Sequence, residues 1–105
     1  MTDTIVAIAT PPGRGGVGMV RVSGKSLAEF GHTLCGRVLM PRVALHTRFL
    51  DAVGHIIDDG IAIHFASPAS FTGEDVLELH AHGSPMVLQA LVRRCIELGD
   101  RKSVV

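Results

Sequence analysis

The chain has 105 residues, of which 47% are hydrophobic and 19% charged, with ten Lys and Arg balancing ten Asp and Glu. This is one domain's worth of chain with enough apolar side chain to bury a core, which excludes a disordered tail. A formal net charge of zero and an aromatic content of 4%, all of it Phe, argue against a stand-alone nucleic-acid binder. Such a domain uses a basic excess for phosphates or exposed rings for stacking.

Residues 4–10 (TIVAIAT) are short, apolar and partly β-branched, the pattern of a buried strand. Pro11-Pro12-Gly13 stops it, and Gly13-Arg14-Gly15-Gly16 is a loop rich in residues that tolerate positive φ. Residues 17–23 (VGMVRVS) read as a second strand, with Met19, Arg21 and Ser23 on one face and Val20 and Val22 on the other. Ser26 stands three residues before Glu29, a capping-box spacing, so a short helix is expected from there to Cys35, stopped by Gly36. Residues 43–53 and 56–65 read as an antiparallel pair turning at Gly54-His55. Pro68 and Gly73 bracket a loop, and residues 75–82 (DVLELHAH) alternate as a half-buried strand ending at Gly83. Ser84 and Pro85 suit the start of a second helix that buries Leu88, Leu91, Val92 and Cys95, places Arg93 and Arg94 near the opposite face, and ends at Gly99. The order β-β-α-β-β-β-α predicts an α+β fold with both helices on one face of a mainly antiparallel sheet.

Cys35 and Cys95 fall in apolar helical patterns and read as buried thiols in a reducing compartment, without a disulfide framework. The N-terminal residues carry no basic region of a secretory signal, and no apolar run approaches a membrane span. A cytoplasmic chain with no membrane association is expected. A core poor in aromatic side chains leaves a thin margin of stability, which points to a partner surface.

Several short motifs need their context. Gly13-Arg14-Gly15-Gly16-Val17-Gly18 matches G-x-G-x-x-G by letters, but a strand pattern follows where a dinucleotide site needs a helix. Gly24-Lys25-Ser26 resembles the end of a phosphate-binding loop, yet Met19 stands where its first Gly belongs, so no GTP site is expected. Glu78, His80 and His82 share one face of a strand and could form a metal site. Same-face neighbours lie roughly 6–7 Å apart along a strand, which leaves such a site needing further ligands, and no metal site is expected. His32, His46, His55 and His64 show no ligand spacing.

Arg21 and Glu78 are different. Each interrupts an otherwise apolar strand, and a charge at such a position needs solvent, an opposite charge or a ligand. They either pair across strands as a salt bridge or line a small-molecule pocket. In the pocket, Glu78 would accept two parallel N–H bonds from an aminopyrimidine edge, and Arg21 would meet an anionic or carbonyl part. No acid, base and nucleophile converge in the pattern, so a catalytic set within the chain is not expected and any role is one of cofactor positioning.

Two longer blocks carry a resemblance. Residues 4–18 (TIVAIATPPGRGGVG), continued by Arg21-Val22-Ser23-Gly24, resemble the start of the tRNA-modification GTPase family MnmE, also called TrmE. Residues 70–83 (SFTGEDVLELHAHG) are similar to that family's SFTGED-VxE-HG signature. The likeness covers about residues 4–99, so residues 1–99 are expected to form a folate-binding and dimerisation domain and residues 100–105 a divergent tail. The resemblance implies an α+β module like the folate-binding domain of aminomethyltransferases, which binds 5-formyltetrahydrofolate or a related reduced folate and forms a homodimer. It implies that Arg21 and Glu78 are the folate contacts. It also implies that a full-length relative works with the FAD enzyme MnmG on the wobble uridine of tRNA.

Two departures qualify this. The family continues past its Glu-Leu-Gly with a segment holding a folate-contacting lysine, where this chain has Asp100-Arg101-Lys102-Ser103-Val104-Val105. No GTPase motif is present, so a fragment or truncated product, not catalytic by itself, is expected. The alternative is a dimerisation or interaction module that has lost folate binding together with that lysine.

Overall fold

The computed structural model describes residues 4–10, 16–66 and 74–99. Seven elements follow the expected order: β1 (Ile5–Ile8), β2 (Val17–Gly24), α1 (Ala28–Cys35), β3 (Leu45–Leu50), β4 (Ile56–Phe65), β5 (Asp75–His82) and α2 (Pro85–Gly99). The strands form one sheet in the order β1-β2-β5-β4-β3, with every neighbouring pair antiparallel. The α+β class expected from the sequence is therefore the one observed. A strand follows the glycine-rich stretch, so the dinucleotide fingerprint lacks its helix. The loop at residues 11–15, the stretch 67–73 with Pro68 and Gly73, and the tail 100–105 lie outside the described residues.

Alternation decides which side chains meet the helices. In β2 and β5 the register pairs Val20 with Leu79 and Val22 with Leu77. These four are fully buried and join Val6, Phe49, Ala62, Leu27, Leu34, Leu88, Leu91 and Cys95 in one apolar cluster. Each fully buried Leu in such a cluster contributes about 1.5–3 kcal/mol. The intervening residues face the other way, pairing Met19 with His80 and Arg21 with Glu78. The sheet thus has one face under the helices and one face bearing the charged pair.

Three local expectations are corrected. The capping box does not form: the N-cap of α1 is Leu27, and it makes no side-chain cap. Instead the Leu27 N–H donates to Asp75 Oδ2 at 2.9 Å, and the same oxygen lies 3.0 Å from Nε2 of buried His64. Because β5 pairs Asp75 with Gly24, this carboxylate sits beside the chain entering α1 and supplies the cap from another strand. Second, β3 is shorter than residues 43–53. Arg42 takes φ 65°, and Pro41 bridges His64 in a parallel sense, so the chain turns into β3 only after Ala44. At its other end the Asp51 carboxylate accepts the N–H groups of Val53 and His55 and folds the turn that contains Gly54. Third, Arg94 does not point away from the sheet side of α2: its Nε donates to the Leu50 carbonyl at 2.9 Å, tying the helix to the end of β3.

Gly60 is required by close approach. A β-carbon there would lie 1.9 Å from the carbonyl oxygen of His80 on β5. At Gly36 the backbone is left-handed (φ 71°), closing α1 with an N–H bond to the His32 carbonyl, as the glycine in the sequence leads one to expect.

Candidate functional site on the open sheet face

Arg21 and Glu78 are direct register partners at the centre of β2 and β5. Arg21 Nη2 lies 3.5 Å from Glu78 Oε2, with the two side chains 46% and 22% exposed. That separation is long for a forked Arg–carboxylate bond, so the contact is mainly Coulombic. An ion pair this exposed contributes no more than about 1 kcal/mol, and it leaves most guanidinium donors and carboxylate lone pairs free for another group. Apolar neighbours flank the pair on this face, Met19 and Ala7 on one side and Ile61 and Ile63 on the other, all partly buried, and Ser23 and His80 share the face with them.

Beyond this pair the sequence reading missed a third polar member. His80 Nε2 lies 3.3 Å from Glu78 Oε1. An ionised carboxylate only accepts, so Nε2 carries the hydrogen and donates. The alternation signal had placed the two on one face. What it could not show was that their side chains lean together along β5.

The Glu78, His80 and His82 set does not converge on one point. His82 turns to β4, where its backbone N–H donates to Asp58 Oδ2 at 2.9 Å and its Nδ1 lies 2.9 Å and 3.0 Å from the two Asp58 oxygens. Asp58, Asp59 and His82 bring one potential ligand atom each within 4.8 Å of one another. The two aspartates carried no motif in the sequence, and only the β4–β5 approach sets them beside His82. Burial pushes the Asp58 pKa up, but the hydrogen bonds from the His82 backbone and ring and its charge outweigh burial and hold the carboxyl below the usual range.

Three of the other four histidines lie beside a single carboxylate each. His46 lies 3.9 Å from Asp59, His55 lies 3.9 Å from Asp51, and His64 is buried against Asp75. Both cysteines are buried and free, as expected, and burial raises their thiols to about 11 for Cys35 and about 12 for Cys95. Among the described residues no helix is long and apolar enough to cross a membrane.

Comparison with known proteins places these features in a family. The family model described as the GTP-binding protein TrmE N-terminus matches residues 4–104. The chain is 62% identical over 97 residues to the tRNA modification GTPase MnmE of Polaromonas sp., covering 92% of this chain and 20% of that protein. It is 56% identical to the MnmE of Neisseria gonorrhoeae, covering 93% of this chain and 22% of the relative. With the MnmE of Aromatoleum aromaticum it shares 57% identity over 96% of this chain and 22% of that protein. The chain thus spans about a fifth of the length of the curated relatives it matches. A family match over nearly all of its residues, on a fold that sets the two signature blocks side by side as β2 and β5, makes the chain a member of the TrmE N-terminal family.

Proposed function

We propose that this chain is the folate-binding, dimer-forming N-terminal domain of a tRNA-modification GTPase. In that role it would act in the cytoplasm with the FAD enzyme MnmG on the wobble uridine of tRNA. The observation that carries the folate reading is the juxtaposition of Arg21 and Glu78, loosely paired at 3.5 Å with the apolar side chains of Met19, Ile61 and Ile63 on the same face. A flat pteridine has apolar faces and a polar edge. The apolar side chains Met19, Ile61 and Ile63 suit the faces, and the Glu78 carboxylate suits the two parallel N–H groups of the aminopyrimidine edge. Arg21 suits a carbonyl or anionic group of the same ligand. A bound reduced folate supplies a one-carbon unit. The chain's own part is to hold and orient it, since among the described residues no nucleophile, acid and base converge on the open face.

A second reading has its own observation: the same 3.5 Å contact is a cross-strand salt bridge and needs no ligand. In that case the chain is a dimerisation module. Calorimetric titration of 5-formyltetrahydrofolate into wild type and Glu78→Gln, with melting curves beside it, separates the two. The folate reading expects saturable binding by wild type and a loss of about tenfold or more in Glu78→Gln, because one acceptor becomes a clashing donor. A lower melting temperature with no folate binding by either protein, or by a longer chain that includes the downstream lysine segment, would favour the salt-bridge reading.

A further inference from the structure

We propose that His80 is a positioning residue for Glu78: by donating from Nε2 to Oε1 it fixes the plane of the carboxylate for a ligand that must meet both oxygens at once. The inference rests on the folate reading for the ligand, but the His80–Glu78 contact is a property of the chain itself.

The geometry is asymmetric in an informative way. Oε2 faces Arg21 across the strands at 3.5 Å, and Oε1 faces His80 along the same strand at 3.3 Å. The His80 contact therefore restricts rotation of the carboxylate about its last side-chain bond, while the looser Coulombic contact to Arg21 leaves Oε2 open to a ligand. A monodentate partner gains little from this. A ligand with two parallel N–H donors gains directly, since its edge must lie in the carboxylate plane. His80 is itself restrained. Its backbone is pinned between Met19 on β2 and Ile61 on β4, and its carbonyl lies so close to Gly60 that no β-carbon fits there. The ring is about a third exposed, so solvent protons reach it.

Among the described residues, the charged and titratable groups in contact with the Glu78 carboxylate are Arg21 from β2 and His80 from β5. From β4 the neighbours are Ile61 and Ile63, and from β1 the neighbour of Arg21 is Ala7. Arg42 stacks on Phe65 at 5.4 Å, whose register partner is Val76, two residues along β5 from Glu78. His82 belongs to Asp58.

The test uses the full chain as wild type, His80→Ala, His80→Gln and Glu78→Gln, titrated with 5-formyltetrahydrofolate at neutral pH. His80→Ala should bind about three- to tenfold more weakly, the worth of one such hydrogen bond. His80→Gln keeps an N–H donor and should come back to within about twofold of wild type. Ring 15N signals of His80 should move in Glu78→Gln, and the Glu78 carboxyl 13C signal should move in His80→Ala, with no ligand present. Wild-type affinity in His80→Ala alongside loss of binding in Glu78→Gln would overturn the role of His80 and leave the folate reading standing. Absence of binding by wild type and by a longer chain that includes the downstream lysine segment overturns the folate reading, and unchanged NMR signals in both variants overturn the His80 assignment.

Discussion

The Asp58 carboxylate accepts from both the backbone N–H and the ring of His82, and these bonds outweigh the cost of its partial burial. Its pKa is lower in the folded chain than in the unfolded one. A depressed carboxylate contributes stability that is present above the unfolded value, about 3.9, and is lost as pH falls through the lower folded value. Asp58→Asn should therefore be destabilised by about 1 kcal/mol at pH 7, and the gap from wild type should close in acid. Urea unfolding at pH 7 and near pH 2 measures both differences, and a gap that persists in acid would place the effect elsewhere. Asp51 follows the same direction for a simpler reason: the His55 N–H bond lowers it, ahead of the weak opposing effect of burial. Its exposure makes it a turn former rather than a source of stability.

Within the sheet, β4 is the element on which most of the open face depends. It pairs with β3 through Leu45 to Leu50 and with β5 through Ile61 to Phe65, and it shifts register at Phe49/Leu50. Gly60 stands just before the β5 pairing begins, against the His80 carbonyl. The atom in the way is backbone, so Gly60→Ala forces β4 and β5 apart. The expected cost is about 1–3 kcal/mol, the usual scale of overpacking. Because β5 carries His80 and Glu78, the same variant should weaken folate binding where Gly54→Ala, strained by a φ of 89° but at a turn outside the β4–β5 pairing, should leave binding unchanged. Thermal melts with folate titrations on both variants check this, and unaltered binding in a destabilised Gly60→Ala would separate the strand approach from the site.

At the scale of the molecule, the two faces of the sheet are unequal. The helices cover Val20, Val22, Leu77 and Leu79, while Met19, Ile61, Ile63 and Phe65 on the other face are only partly buried. Ile5 on edge strand β1 is 48% exposed and Val17 at the start of β2 is 63% exposed. Exposed apolar side chains along this edge favour an isologous contact between two copies. We expect light scattering at micromolar concentration to report a dimer, with Val17→Asp weakening it at little cost to the melting temperature of the monomer. A strict monomer at high concentration would remove dimerisation from the proposed function of these residues alone.

The sequence by itself determined the class and order of the elements, since period-two alternation in residues 75–82 and helical spacing from Leu88 to Cys95 are local signals that the core rewards directly. It also determined that Arg21 and Glu78 needed an outlet, because a charge inside an apolar strand is conspicuous whatever the strand's neighbours. Only the tertiary structure decided that β2 lies beside β5 in the register that sets these two opposite each other. It also decided that His80 leans on Glu78 while His82 turns to Asp58. The start of α1 shows the reason most plainly. Ser26 carried the local capping signal, but Asp75, distant in sequence, lies close enough after strand pairing to take the Leu27 N–H. Local pattern fixes which face a side chain occupies. Its partner is fixed by strand order and register, which depend on contacts between residues far apart along the chain.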